Sequence, residues 1–270
     1  MKLTKVFATV LLSFVGTLAF SDEAYDVVKR YTEIPRPDSS KALVSLEIKN
    51  KNGQTEAREM VEYGMNDPNT NVVFDIQKDS SSKYKGMRVL IKEQPNKPND
   101  RWVFEPTLRN VRRIQDAERS GSFVGCEFTY NDMSIRKVDE DTHEMLSANE
   151  SITVNGINYT CWKIKSTPVK KNDIEYGYRI CWYDKQTYLP VQMEYYDKKD
   201  PKLRFKTIII EKIDNVKGAT GKSYVLRHAC TITNHITGRT TRISVKNFTF
   251  DDSAQVNKRI FTQNWLMTGK

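Results

Sequence analysis

Ala42-Leu43-Val44-Ser45-Leu46-Glu47-Ile48-Lys49 alternates side-chain character, so that Val44, Leu46 and Ile48 share one face of an extended chain. Asn52-Gly53 follows, a pair that accepts left-handed backbone and makes a tight turn, and residues 55 to 63 run back. This is a hairpin. The same period spreads outward from it, with strands expected at 71–77, 86–92, 101–105 and 109–115, and again at 158–166, 176–184, 189–196, 205–213, 223–233 and 239–248. The connections are Ser-, Lys-, Pro- and Asn-rich and too short for parallel crossovers, so the sheet is expected to be antiparallel. About eleven or twelve strands exceed what a strongly twisted open sheet carries without curling or closing, which predicts a curved sheet or partial barrel.

Two stretches break the period. Residues 22 to 34 place Tyr25, Val28 and Tyr31 at helical spacing before Pro35-Arg36-Pro37, and read as a short amphipathic helix. Residues 116 to 150 lose the alternation and read as loops and short helices, the one long non-strand insertion. With the tail from Asp251 to Lys270, which carries Ile260, Phe261, Trp265 and Leu266, these are the available fillers for the concave face. Any part they leave uncovered is an apolar cavity.

The N-terminus has the form of an export signal. Lys2 and Lys5 precede an uncharged run from Val6 to Phe20, and Ala19-Phe20-Ser21 precedes Asp22-Glu23. We expect a signal peptide over 1–21, cleaved after about Ser21, and a single domain over 22–270. The run is short and interrupted for a membrane anchor, and the first cysteine, Cys126, is far from any lipidation point. The formal charge is +9 and loses Lys2 and Lys5 with the signal. The excess is spread along the chain rather than gathered in one segment, unlike that of a nucleic-acid binder.

Four cysteines in an exported chain permit disulfides. Cys161 and Cys181 flank a polar turn centred near Lys171, and folding about that turn sets them opposite one another, which predicts a disulfide. Cys126 and Cys230 are not assignable. His143, His228 and His235 make no metal spacing, and there is no Gly-x-Ser-x-Gly. Gly218-Ala219-Thr220-Gly221-Lys222-Ser223 imitates the end of a phosphate loop but has Val216 where the first glycine belongs, and reads as a hairpin turn. We expect no enzyme, no metal and no cofactor.

The middle of the chain carries a more specific pattern: Trp102-Val103-Phe104-Glu105-Pro106, then Arg112-Arg113-Ile114, then Ser120-Gly121-Ser122-Phe123-Val124-Gly125-Cys126-Glu127-Phe128-Thr129-Tyr130-Asn131-Asp132-Met133. It resembles the outer-membrane lipoprotein-sorting (LolA-like) family, in the branch associated with RND/MMPL-type exporters. Tyr188-Leu189-Pro190 leading to Glu194-Tyr195-Tyr196-Asp197, and Phe261-Thr262 before a short terminal helix, also fit. Cys126 departs from the small or polar residue more usual there.

The resemblance implies a mainly β, LolA/LppX-like fold, in which a curved antiparallel sheet forms a half-open barrel closed by helices. It implies a periplasmic monomer whose hydrophobic interior carries lipoprotein acyl chains or phospholipid between envelope membranes, with an RND/MMPL-type inner-membrane exporter as partner. By matching position, the lining is expected to include Trp102, Phe104, Phe123, Phe128, Tyr130 and Met133, with residues 116–150 as a lid. Arg112 and Arg113 either meet lipid headgroups or face solvent. The alternative is a surface-exposed binding or adhesion module, motivated by the basic, tyrosine-rich strands.

Overall fold

The computed structural model describes residues 15–172 and 174–270, with side chains from residue 23 onward. Residues 1–14 of the expected signal peptide lie outside the described residues. The first helix, α1 (Val15–Thr32), buries Ala24, Val27 and Val28, spaced so that they fall on one stripe. Pro35 disfavours helical backbone at Ile34, and the helix stops just before that pair. Among the described residues no helix is long and apolar enough to cross a membrane.

Among the described residues thirteen strands follow: β1 (Ser39–Lys49), β2 (Thr55–Asn66), β3 (Thr70–Asp79), β4 (Arg88–Lys92), β5 (Asp100–Glu105), β6 (Asn110–Arg113), β7 (Asp141–Val154), β8 (Ile157–Pro168), β9 (Tyr178–Asp184), β10 (Pro190–Tyr196), β11 (Arg204–Lys217), β12 (Ser223–Asn234) and β13 (Thr240–Phe250). The terminal helix is α2 (Gln263–Thr268). All thirteen form one sheet, in the order β6-β5-β4-β3-β2-β1-β13-β12-β11-β10-β9-β8-β7. Every pair is antiparallel, and the one long-range junction is β1 on β13, which ties the first six strands to the last seven.

The two edge strands, β6 and β7, are consecutive in the chain, so residues 114–140 must bridge the opening between them. The sheet curls around one core. Val103 of β5 and Ile164 of β8, far apart in strand order, belong to a single buried cluster with α1 and with Phe123, Val124, Cys126 and Phe128 of the bridging segment. This is the incomplete barrel that strand number demands when twist accumulates.

Strand β7 corrects the expectation of loops and short helices over all of 116–150. Only 116–140 is irregular. Residues 141–154 alternate in burial but with polar side chains on both faces, and bulges near Met145, Ser147 and Glu150 interrupt the register with β8. An edge strand of this kind carries little apolar signal.

Because every strand reverses its neighbour, the connections fall into two sets. The β1–β2, β3–β4, β5–β6, β8–β9, β10–β11 and β12–β13 turns ring one end. The remaining five hairpin turns ring the other, where the chain enters β1. Gly53, at φ +83°, supplies the left-handed residue of the β1–β2 turn that Asn52-Gly53 predicts. The phosphate-loop mimic at 218–222 is the β11–β12 turn.

Candidate functional site

The first of the two ends is sealed by the bridging segment. Phe123 N donates to Phe128 O at 2.8 Å, folding the segment into a loop that drives both rings inward. Phe123 meets Phe74 at 5.1 Å and Tyr130 at 5.7 Å between ring centroids, both edge to face. Gly125, at φ +74°, lies so close to Tyr84 that a Cβ would fall 2.5 Å from its hydroxyl, which requires glycine there.

Ion pairs clamp this plug to the sheet. Lys206 of β11, almost wholly buried, holds Asp132 at 3.0 Å and Glu175 at 2.9 Å, and its ammonium stands 4.3 Å over the Tyr195 ring. Burial alone would raise the Glu175 carboxyl, but the Lys206 charge outweighs it and holds the group below the usual range. Thr129 and Asn131 complete the network through Asp132 and Glu175. Arg239 of β13's approach reaches Glu127 at 2.9 Å and the Gly125 carbonyl at 3.2 Å.

A second set fixes α1 beside β7. Tyr25 donates to Asp139 at 2.8 Å and packs edge-on against His143. His143 Nε2 lies 2.9 Å from the Val138 carbonyl and Nδ1 lies 2.9 Å from Ser166 Oγ, a pairing that places the proton on Nε2 of a neutral ring. Burial pushes its pKa below the ordinary histidine value. Beneath it, Asp141 is shared by Arg136 at 2.8 Å and Arg179 at 3.1 Å.

Opposite α1, strands β1, β12 and β13 present an apolar face that is only partly covered. Ala42, Cys230, Ile243 and Val245 pack against the core yet remain only partly covered, as does Tyr31 of α1. A bulge at His228, where Lys212 pairs Ala229 and Ile213 pairs Arg227, turns Arg227 toward this face. Arg227 keeps exposed surface, and the nearby Tyr31 and Glu62 hold its guanidinium above the ordinary arginine value. Burial raises the Glu62 carboxyl against the pull of Arg227. Two residues further along the same strands, Asn215 and Val225 line a cavity of about 600 Å³ that opens beside Arg30, Ile34, Pro35 and Tyr188. A second cavity, of about 470 Å³, lies across the α1–β1 connection near Ile135 and Arg136. The first falls within the size of small-ligand sites and lies further along the strands that carry Arg227 and Cys230.

The residues expected as lining divide three ways. Phe123, Phe128, Tyr130 and Met133 do converge on the interior, but the two phenylalanines are plug core, at 0 and 5 % exposure. Trp102 and Phe104 stand on the other face of the sheet: β5 turns Val103 inward, so its neighbours point outward and pack with Val256, Ile260, Phe261, Trp265 and Leu266 of the tail. The tail therefore covers the convex side rather than filling the concave one. Arg112 pairs with Glu105 and Glu118, and Arg113 with Asp100. Sequence reasoning missed Ala42, Cys230, Ile243, Val245 and Arg227. The arginine set among Val225, Leu226 and Ala229 was the one available signal.

The expected Cys161–Cys181 disulfide is corrected by register. Cys161 pairs with Asp184 and Cys181 with Ile164, three residues off direct opposition. An odd offset puts the two on opposite faces, Cys161 with Val154, Trp182 and Val191 outside and Cys181 in the interior. All four cysteines are free, and burial pushes the Cys126 and Cys161 thiols up to about 12 and Cys230 to about 11. Among the described residues no group of three or more His, Cys, Asp or Glu is arranged to hold a metal.

Solved structures of other proteins share this fold. A DUF1329 family protein from Desulfovibrio piger superposes with a TM-score of 0.78 at 20% identity, over 92% of this chain and 99% of that one. A Vibrio parahaemolyticus domain proposed to sort outer-membrane lipoproteins does so equally, at 0.78 and 22% identity over 92% and 99%. A LolA superfamily protein from Nitrosomonas europaea gives 0.59 at 17% identity, over 92% and 98%. No curated protein matches the sequence. A family model described as "-like: Uncharacterized protein" matches residues 72–268, and the chain belongs to that DUF1329-like family.

Proposed function

We propose that this chain is an exported, periplasmic, non-enzymatic carrier that holds acyl chains of lipoproteins or phospholipid inside its half barrel and passes them between envelope membranes. The observation that carries the reading is the partly covered apolar face of Ala42, Cys230, Ile243 and Val245, with a cavity of about 600 Å³ beside α1 further along the same sheet. Removing an acyl chain from water gains about 0.8 kcal/mol per CH2, so a dry groove holds it without bond chemistry, and release falls to a partner. An RND/MMPL-type exporter is the partner that the sequence pattern suggests. Residues 1–21 are the export signal in this reading, and 22–270 act as one domain. The LolA-type fold of the solved structures supports it.

The test is native mass spectrometry of protein expressed into a periplasm and purified gently, with lipid extraction of the same sample. Bound phospholipid or lipopeptide that is lost in Cys230→Phe, a change that fills the partly covered face, is the expected result. A lipid-free mass together with no uptake of a fluorescent fatty acid overturns the carrier and turns attention to a surface-binding role.

A further inference from the structure

The two ends of the half barrel differ in chemistry. The six turns at the sealed end carry ten lysines and arginines against four acidic residues, whereas the five at the other end carry three against two. The same six turns hold most of the protein's conspicuous apolar exposure. Of seven large apolar side chains strongly exposed among the described residues, four are here: Leu108 at 65 %, Val169 at 61 %, Ile236 at 63 % and Leu203 at 39 %. Each comes from a different turn, so no local sequence run explains their gathering.

The turns form a continuous rim rather than scattered loops. Gly238 abuts Lys51, and Gly86 abuts Pro106. His235 N donates to Phe205 O at 2.8 Å, Tyr178 Oη donates to Pro201 O at 2.8 Å, and Lys198 Nζ donates to the Lys171 carbonyl at 2.6 Å. Arg239 links the β12–β13 turn to Gly125 of the plug, and Gly125 rests on Tyr84 of the β3–β4 turn. The rim is a ring of single aliphatic tips, interleaved with lysines and mounted on strand ends. Its shape suits a broad, flat, anionic surface with an apolar layer below it.

We propose that this rim is a docking face for the surface of an anionic phospholipid bilayer. The lysines and arginines meet phosphate-bearing headgroups, and Leu108, Val169, Leu203 and Ile236 reach past them into the acyl boundary. Docking sets the plug of residues 119–133 against the membrane, so the sealed end is the one presented to lipid. The proposal rests on the carrier reading for its purpose, but its measurement is separate.

The experiment is co-sedimentation of the full mature chain with vesicles of phosphatidylcholine alone and of phosphatidylcholine mixed with phosphatidylglycerol. The wild type is expected on the mixed vesicles and not on the neutral ones, with binding that weakens as salt rises. Two rim variants, one with Leu108, Val169, Leu203 and Ile236 all changed to Ser and one with Lys83→Gln, Lys85→Gln, Lys170→Gln and Lys199→Gln, should each bind at least tenfold more weakly. A control at the opposite end, Lys97→Gln with Lys185→Gln and Lys222→Gln, should bind as the wild type does. All substituted side chains are on turns, and circular dichroism checks that the fold is kept. Wild type that ignores the mixed vesicles, or equal weakening in rim and control variants, overturns the proposal, and the first result would favour an acidic protein as the partner. Fatty-acid uptake measured without vesicles separates the two readings. Rim variants that still take up the probe but miss the vesicles locate docking alone, whereas loss of uptake in the wild type removes the carrier and leaves the vesicle result to stand by itself.

Discussion

Two parts of one interior behave differently. Around Phe123 the concave face is packed by interlocking aromatics and tied down by buried ion pairs. Around Cys230 it is lined by the smaller aliphatic side chains of Ala42, Ile243 and Val245, which remain only partly covered. Apolar character alone therefore does not distinguish the packed part from the partly covered one; covering does. On the carrier reading proposed above, the plug has a structural part in this contrast and the partly covered face a functional one, and substitutions should separate them.

The largest effect is expected at the clamp. Lys206→Met leaves Asp132 and Glu175 buried without their cation and should cost about 3–5 kcal/mol in denaturant unfolding. Adding Asp132→Asn and Glu175→Gln to it should restore much of that loss. Phe123→Ala removes a fully buried ring and should likewise cost about 3–5 kcal/mol. Val245→Ala, on the partly covered face, should cost about 1 kcal/mol or less, because part of its surface is already free of packing. Similar costs at Phe123 and Val245 would erase the contrast.

Ligand uptake should rank the other way. Cys230→Phe is expected to lower fatty-acid probe affinity at least tenfold with little change in stability, while Trp102→Ala, on the convex side under the tail, should leave uptake unchanged. The smallest effect is that of pH. His143 is neutral and its folded pKa lies below the unfolded value, so its contribution is present above about pH 6.5 and is lost as pH falls through the lower folded value. His143→Gln should flatten that part of a stability-against-pH curve. It should leave the steeper loss below the ordinary carboxylate range, where Glu175 protonates and leaves Lys206.

Much of the fold is readable because a half-buried antiparallel strand writes its period into the sequence. Residues 42–49 show it, and the hairpin at Asn52-Gly53 lies where expected. Strand β7 was hidden because an edge strand under a helix needs few apolar residues. The cysteine pairing failed for a related reason: a turn of ten or so residues leaves the register free, and a three-residue slip moves one thiol through the sheet. The candidate site was half legible. The aromatic-rich segment 120–133 does enter the barrel, but whether a ring plugs or lines depends on what covers it, and neither Ala42 nor Val245 differs in sequence from any other strand residue. Arg227 owes its inward direction to a bulge that no local pattern announces.

The most direct test is photocrosslinking with a diazirine-bearing fatty acid, followed by peptide mapping of the adducts. Labels are expected on β11, β12 and β13 around Ile213, Cys230, Ile243 and Val245, and on α1 near Tyr31. Labels confined to Trp102, Phe104 and the tail, or spread evenly over the outer surface, would contradict an interior acyl site.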